Sequence, residues 1–140
     1  MMNKRRQLIF GLGGLTLFRP FKALFGNSAI QTQDPDQAFF EAAALEEQLK
    51  ASGKSYLPFL NVEKLRTGLY ALPAGAEDRQ QPHDHDEVYY VMSGKSKFVS
   101  GEEHTEVKAG SVLYVKAKVA HRFYEIEEDL KIIVFFSNMT

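Results

Sequence analysis

The sequence predicts an all-β barrel or sandwich preceded by one short α-helix. Beyond Ser55, apolar residues stop recurring at helical spacing and fall into short or alternating runs, which is typical of strands. Turn residues separate these runs at regular intervals, and 11 Phe and 6 Tyr without any Trp suit a β-rich interior. The predicted strands cover residues 56–60, 65–72, 88–92, 97–100, 103–107, 112–115, 122–126 and 130–136.

Composition bounds the function in three ways. At 140 residues the chain is long enough for one domain with a hydrophobic core of its own. The 17 basic and 18 acidic residues nearly balance, so no nucleic-acid or anionic-membrane partner is expected. Cysteine is absent, which excludes disulfides, cysteine-ligated zinc and thiol nucleophiles.

Residues 1–30 differ in composition from the rest and are predicted to be an export signal or a membrane-associating segment. Arg5 and Arg6 precede a glycine-rich apolar run that ends near Phe18, a pattern that resembles a twin-arginine export signal. The run is shorter than the ~20 residues of a membrane span, so no stable span is expected. The protein is expected to be periplasmic if this signal functions and cytoplasmic otherwise; a disordered basic arm is the alternative.

Residues 31–54 are predicted to contain the helix, and residues 55–140 the barrel. Asp34 and Pro35 suit an N-cap and the first helical position, and Gly53 suits the residue just after the helix. Apolar residues recur between them at helical spacing: Ala38, Ala42, Leu45 and Leu49. The helix is expected to pack against the sheet or a partner subunit.

The strongest chemical signal is a cluster of polar residues just before a β-patterned run: Gln81, His83, His85 and Glu87. Imidazole and carboxylate ligands with open positions between them suit Zn, Fe, Ni or Mn. If residues 81–83 are extended, Gln81 and His83 share a face, and Glu87 opens the returning strand on the same inner side. His121 opens a later strand, so His83, Glu87 and His121 form a plausible metal triad with Gln81 as a marginal fourth ligand.

Two further residues are predicted to carry protons. His85 falls in the short loop before Glu87, which places it nearer the mouth of a barrel than the metal, as a proton-transfer or surface residue. Glu125 shares the predicted face of His121, where it is expected to be a base or a partner for His121 or Lys116. An empty, hydrogen-bonded polar cluster is the alternative to a metal site.

These residues resemble the two motifs of the cupin family. The first motif is Gly, five residues, His-x-His, three or four residues, Glu, six residues and Gly. Its positions fall at Gly75, Gln81, His83, Glu87 and Gly94, and Gln81 stands where the motif has its first histidine. The second motif matches at Gly110 and His121, whereas Lys116, Lys118 and Glu125 replace its Pro, Gly and Asn. The resemblance covers roughly residues 65–136 and implies a jelly-roll barrel, also called a double-stranded β-helix.

Such a cupin is expected to bind one divalent metal ion, of Fe, Mn, Ni or Zn, through His83, Glu87 and His121. It would act as a dioxygenase, isomerase or lyase on a small polar or anionic molecule, with His85 and Glu125 as the candidate catalytic residues. A non-catalytic ligand-binding or sensing module is the alternative, and a partner-docking domain built on the helix is a third reading. The resemblance also implies a homodimer formed through barrel faces.

Overall fold

The computed structural model describes residues 35–138, which form one helix and six strands. Helix α1 spans Ala42–Ser52, and the strands are β1 (Tyr56–Val62), β2 (Leu65–Leu72), β3 (Glu87–Ser100), β4 (Glu103–Lys108), β5 (Val112–Val115) and β6 (His121–Ser137). The strands pair antiparallel in the order β1-β2-β6-β3-β4, and β5 pairs with β3. The prediction of an all-β fold with one short helix is confirmed.

Two long strands, β3 and β6, replace four of the predicted ones. The runs 88–92 and 97–100 both belong to β3, the runs 122–126 and 130–136 both belong to β6, and these two strands pair along most of their lengths. Their register shifts around Gly94, which has a φ of 93°. A Cβ at this position would lie 2.4 Å from the carbonyl oxygen of Asp129, so a side chain is excluded there. β3 and β6 therefore each continue through a bulge at the position where the sequence predicted a turn between two strands.

The larger of two hydrophobic clusters fills the inside of the barrel. Along the first half of β3 the side chains alternate as predicted, with Glu87, Tyr89 and Val91 buried and Val88 and Tyr90 exposed. The inner residues pack with other buried side chains of the barrel, among them Leu72, Phe98, Val115, Phe123, Leu130, Ile132 and Val134. Each fully buried side chain of this size stabilises the fold by ~1.5–3 kcal/mol, so the wall that carries Glu87 is firmly held.

Helix α1 packs through Leu45 and Leu49 against Leu69 of β2, in a second cluster. Gly53 ends the helix in the left-handed conformation, with a φ of 66°, as predicted. The predicted start is wrong, because the helix begins only at Ala42 after an extended Glu41. The preceding segment instead packs the ring of Phe40 edge-on against Phe59, with 4.9 Å between the ring centroids.

Residues 1–34 lie outside the described residues, and the predicted export signal therefore stays a prediction. Within the described part, no helix has the length and apolar character that crossing a membrane requires.

Candidate metal centre

Three side chains bring atoms that can bind a metal ion together: His83, Glu87 and His121. The three ligand atoms lie within 4.8 Å of one another. His83 Nδ1 is 2.5 Å from Glu87 Oε1, and His121 Nε2 is 3.5 Å from Glu87 Oε2. Glu87 is 1% exposed and His121 5% exposed, while His83 is half-buried. The structure thus brings together the three residues that the sequence predicted as the triad.

The curvature of two paired strands brings Glu87 and His121 together. Glu87 is the first residue of β3 and His121 the first of β6. Because these strands are antiparallel, the two residues start at opposite ends of the ladder, where Glu87 pairs with Phe136 and His121 with Ser100. The bulge and the closing of the barrel fold the ladder so that its ends meet.

His83 lies on the irregular segment before β3, and neighbouring loops fix this segment. The carbonyl oxygen of His83 accepts a hydrogen bond from the backbone N–H of Lys118 at 2.7 Å. The carboxylate of Asp86 accepts one from the backbone N–H of Ala117 at 2.9 Å. The His83 ring packs edge-on against Phe136, with 5.2 Å between ring centroids. These contacts hold the imidazole beside Glu87.

The buried hydroxyl of Tyr89 contacts both buried members of the group. It hydrogen bonds to the Glu87 carboxylate, and it lies 2.9 Å from His121 Nε2 and 3.0 Å from Gln80 Oε1. His121 Nδ1 is 2.7 Å from the carbonyl oxygen of Val119, which can only accept, so this nitrogen carries a proton. The Tyr89 hydroxyl has one proton to donate. When His121 is neutral, three acceptors surround that proton: Glu87, Gln80 Oε1 and His121 Nε2. The cluster therefore needs either a second proton or a cation.

Opposed effects set the charge of each buried group when no metal is bound. Burial alone would raise the pKa of Glu87, but hydrogen bonds from His121 and Tyr89 and the nearby imidazole charges lower it overall. Burial alone would lower the pKa of His121, but its bonds to Glu87 and Val119 raise it overall. Burial and the bond to Glu87 both raise the pKa of Tyr89. The metal-free cluster therefore favours a carboxylate, an imidazolium and a neutral tyrosine.

The donor set fits a divalent metal ion. Two imidazole nitrogens and one carboxylate oxygen are ligands that Fe, Mn, Ni and Zn accept, and three protein ligands leave coordination positions open. A cation that takes the place of the His121 proton also supplies the positive charge that the buried Glu87 carboxylate needs. Tyr89 can then donate its proton to Glu87 or Gln80 without competition from a third acceptor.

Two residues that support the group were missed by sequence reasoning. Asp78 is buried and accepts hydrogen bonds from the Tyr70 hydroxyl at 2.6 Å, from Gln80 Nε2 at 2.8 Å and from the backbone N–H of Phe123 at 2.9 Å. The bond to Asp78 fixes the Gln80 amide so that its oxygen faces Tyr89. Both residues lie in an irregular segment, where no periodicity indicates the direction of a side chain.

Gln81 does not join the group. Its side chain is exposed, and its amide nitrogen donates to the carbonyl oxygen of Arg79 at 3.4 Å. The prediction assumed an extended strand over residues 81–83, but this segment is irregular, so side chains do not alternate there. Gln80 occupies the inward position instead. His85 is half-buried outside the group, and its Nδ1 is buried without a hydrogen-bond partner.

Glu125 does not face the barrel interior, and that expectation is wrong. Its φ of 46° marks a local irregularity in β6, after which Ile126 is buried in its place. Glu125 is exposed and pairs with Lys97, at 2.5 Å between Nζ and Oε2. Lys116 and Lys118 are exposed as well.

A cavity of about 510 Å³ opens beside the metal-binding group. His83, Gln80 and Tyr89 form part of its wall, and residues of β1, β2 and β6 form the rest: Tyr56, Pro58, Asn61, Arg66, Tyr70, Val134 and Phe136. The volume is that of a typical small-molecule site. A ligand in this cavity would contact His83 and Tyr89 directly.

Comparison with known proteins agrees with the fold. Residues 68–136 match the Cupin_2 family, described as a cupin domain. An uncharacterized protein of Streptomyces coelicolor is 48% identical over 98 residues, which cover 70% of this chain and 93% of that protein.

Three solved structures show the same fold at low identity. KdgF from Halomonas sp. is 20% identical with a TM-score of 0.55, over 61% of this chain and 78% of that chain. An RmlC-like cupin from Shewanella frigidimarina is 21% identical with a TM-score of 0.53, over 60% and 75% of the two chains. BH2720 from Bacillus halodurans is 16% identical with a TM-score of 0.58, over 76% and 86%. Residues 68–136, which form most of the jelly-roll barrel, are therefore a cupin domain.

Proposed function

We propose that the protein is a mononuclear metal-dependent enzyme that acts on a small anionic or polar molecule, with the metal held by His83, Glu87 and His121. The observation that carries this proposal is that His83 and Tyr89 lie on the cavity wall, so an ion at the group is within reach of a small molecule. A structural metal site is normally closed by four protein ligands, whereas a catalytic one keeps a position open. The ion would act as a Lewis acid in an isomerase or lyase reaction, and a redox-active ion would supply the redox chemistry of a dioxygenase reaction.

The chain's own residues would bind the substrate and handle its protons. Because burial and the bond to Glu87 raise its pKa, the Tyr89 hydroxyl stays protonated and would not act as a base towards a ligand in the cavity. Gln80, anchored on Asp78, holds this hydroxyl at the cavity wall. His85, whose Nδ1 is buried without a hydrogen-bond partner, is proposed as a proton carrier from outside the metal-binding group.

Metal content tests the proposal directly. Tag-free protein reconstituted with each of Fe(II), Mn(II), Ni(II) and Zn(II) should retain about one equivalent of at least one metal after desalting. His83→Ala and His121→Ala should lose it. His104→Ala is the matched control, because His104 is exposed and bonds to the Tyr124 hydroxyl, outside the group. Metal well below one equivalent in the unmodified protein would overturn the proposal.

A homodimer is proposed through the outer face of β3, β5 and β6. Large apolar side chains are exposed on these adjacent strands, where Val88 pairs with Tyr114 and with Phe135, and Tyr90 with Val112. Tyr90→Lys should convert a dimer to a monomer in sedimentation velocity. A wild-type protein that stays monomeric at high concentration would contradict this proposal.

Export is proposed for residues 1–30 on the basis of the twin-arginine-like pattern alone. A fusion of residues 1–35 to a reporter should reach the periplasm, and Arg5→Lys/Arg6→Lys should keep it in the cytoplasm. Equal export of both fusions would contradict the twin-arginine route.

A further inference from the structure

Two polar groups on the cavity wall take no part in the metal-binding group. Arg66 and Tyr56 both line the cavity, and Arg66 Nε and the Tyr56 hydroxyl are each buried without a hydrogen-bond partner. Within residues 35–138 no carboxylate forms an ion pair with Arg66. Buried polar groups are normally paired, so two unpaired ones in the same cavity indicate a ligand that pairs with them.

The guanidinium of Arg66 is held in place by a ring that also contacts the metal-binding group. Arg66 pairs with Phe136 across β2 and β6, and its Cζ lies 4.5 Å from the centroid of the Phe136 ring. The same ring packs against His83. Stacking on a ring occupies a face of the guanidinium and leaves the N–H groups at its edge free to bind a carboxylate. A charged donor therefore lies one aromatic ring away from the metal-binding group.

Gly68 leaves the space in which the ring of Tyr56 lies. A Cβ at position 68 would be 2.2 Å from Cε2 of Tyr56 and 2.4 Å from its hydroxyl oxygen. Tyr56 pairs with Tyr70, two residues beyond Gly68, so a ring that reaches Gly68 points along β2 towards Arg66. The free hydroxyl of Tyr56 and the free donors of Arg66 are thus directed to the same part of the cavity.

We propose that Arg66 and Tyr56 bind a carboxylate group of the substrate, which is a short-chain dicarboxylic acid whose second carboxylate reaches the metal. This inference rests on the proposed metal-dependent function. A divalent ion and the Arg66 guanidinium outweigh the charges of the buried Glu87 and Asp78 carboxylates, so the cavity is positive overall and favours an anion. The planar fork of Arg66 matches a carboxylate, and a tyrosine hydroxyl adds a third donor.

Calorimetric titration of malonate, succinate and glutarate into the metal-loaded full chain tests the inference, with the corresponding diamides as neutral controls. At least one diacid should bind, and its diamide should not. Arg66→Gln should raise the dissociation constant by about 10- to 100-fold, and Tyr56→Phe by about 2- to 10-fold. Arg122→Gln, on the exposed side of β6, should leave binding unchanged.

Two further measurements separate recognition from a general structural effect. The NMR signal of the Arg66 Nε–H, identified by its loss in Arg66→Gln, should shift when the diacid binds. Arg66→Lys keeps the positive charge but loses the fork, so it should bind with intermediate affinity. Metal content should be unchanged in every one of these variants.

The outcomes distinguish failure of the inference from failure of the proposed function. If no diacid binds, or if Arg66→Gln and Arg122→Gln bind alike while metal is present, the inference is overturned and the metal-dependent function stands. If the protein retains no metal but Arg66-dependent binding of one carboxylate persists, the metal-dependent function fails and the Arg66–Tyr56 site stands without its second anchor.

Discussion

Replacing Gly68 with alanine should destabilise the protein through one contact, that with the ring of Tyr56. An added Cβ would lie 2.2–2.4 Å from two ring carbons and the hydroxyl oxygen of Tyr56, and the ring would have to leave its place over β2. Overpacking of this kind costs ~1–3 kcal/mol of unfolding free energy. The backbone of Gly68 does not have a positive φ, so an alanine is not strained there. Without the ring, Gly68→Ala should instead be neutral or stabilising by ~0.5–1 kcal/mol, because glycine is unfavourable inside a strand.

A double-mutant cycle isolates this contact. Urea unfolding of the wild type, Gly68→Ala, Tyr56→Ala and the double variant should give a coupling of roughly 1.5–4 kcal/mol. In the same proteins, Gly68→Ala should weaken diacid binding about as much as Tyr56→Phe does. A coupling below about 0.5 kcal/mol would refute the reasoning, since independent sites are additive to that level.

Two other predictions concern the buried cluster. Tyr89→Phe should reduce the unfolding free energy of the metal-free protein by ~1–3 kcal/mol, because Glu87 and His121 lose the hydroxyl that they share. The loss should be smaller once metal is bound. Equal losses with and without a chelator would contradict this prediction. Stability of the metal-free protein should be highest between pH 4.5 and 6.5, the ordinary pKa values of the two groups. Because the pKa of Glu87 is lowered, its contribution to stability is lost as the pH falls through the pKa that Glu87 has in the folded protein. Because the pKa of His121 is raised, its contribution is lost as the pH rises through the pKa that His121 has in the folded protein. His121→Asn should abolish the decline in the free energy of urea unfolding above pH 6.5, and a decline that persists would count against the assignment.

The sequence predicted those parts of the fold in which side chains alternate regularly. Residues 87–91 alternate between buried and exposed as expected, and this alternation placed Glu87 inside the barrel. The pattern could not predict that β3 continues through Gly94, because a positive φ and a glycine are shared by turns and bulges. What decides between them is the partner strand, whose backbone at Asp129 lies against Gly94. That contact is between residues far apart in the sequence.

Arg66 was overlooked because the apolar face of β2 resembles the core-facing side of a strand. Leu69 is covered from outside by Leu45 and Leu49 of α1, in a cluster separate from the barrel interior. The opposite face, with Arg66 and Tyr70, is the one that lines the cavity. Alternation identifies two faces of a strand but not which one lies inside, and the position of α1 settles it only in the folded chain.

The structure places Gln80, and not the predicted Gln81, on the inner side of the segment. Mutations at these two positions show whether the motif register or the fold determines the metal ligands. If the motif register alone determined the ligands, Gln81→His would restore the imidazole that the family motif has and tighten metal binding. The structure predicts otherwise, because position 81 is exposed on an irregular segment and its neighbour Gln80 holds the inward place through Asp78 and Tyr89. Gln81→His should therefore change the metal dissociation constant by less than about twofold. Gln80→Leu removes one hydrogen bond from Asp78 and one from Tyr89, and it should weaken metal binding about 10-fold. A 10-fold gain in affinity for Gln81→His, measured by competition with a chelator, would show that the segment rearranges around metal and that four ligands are available.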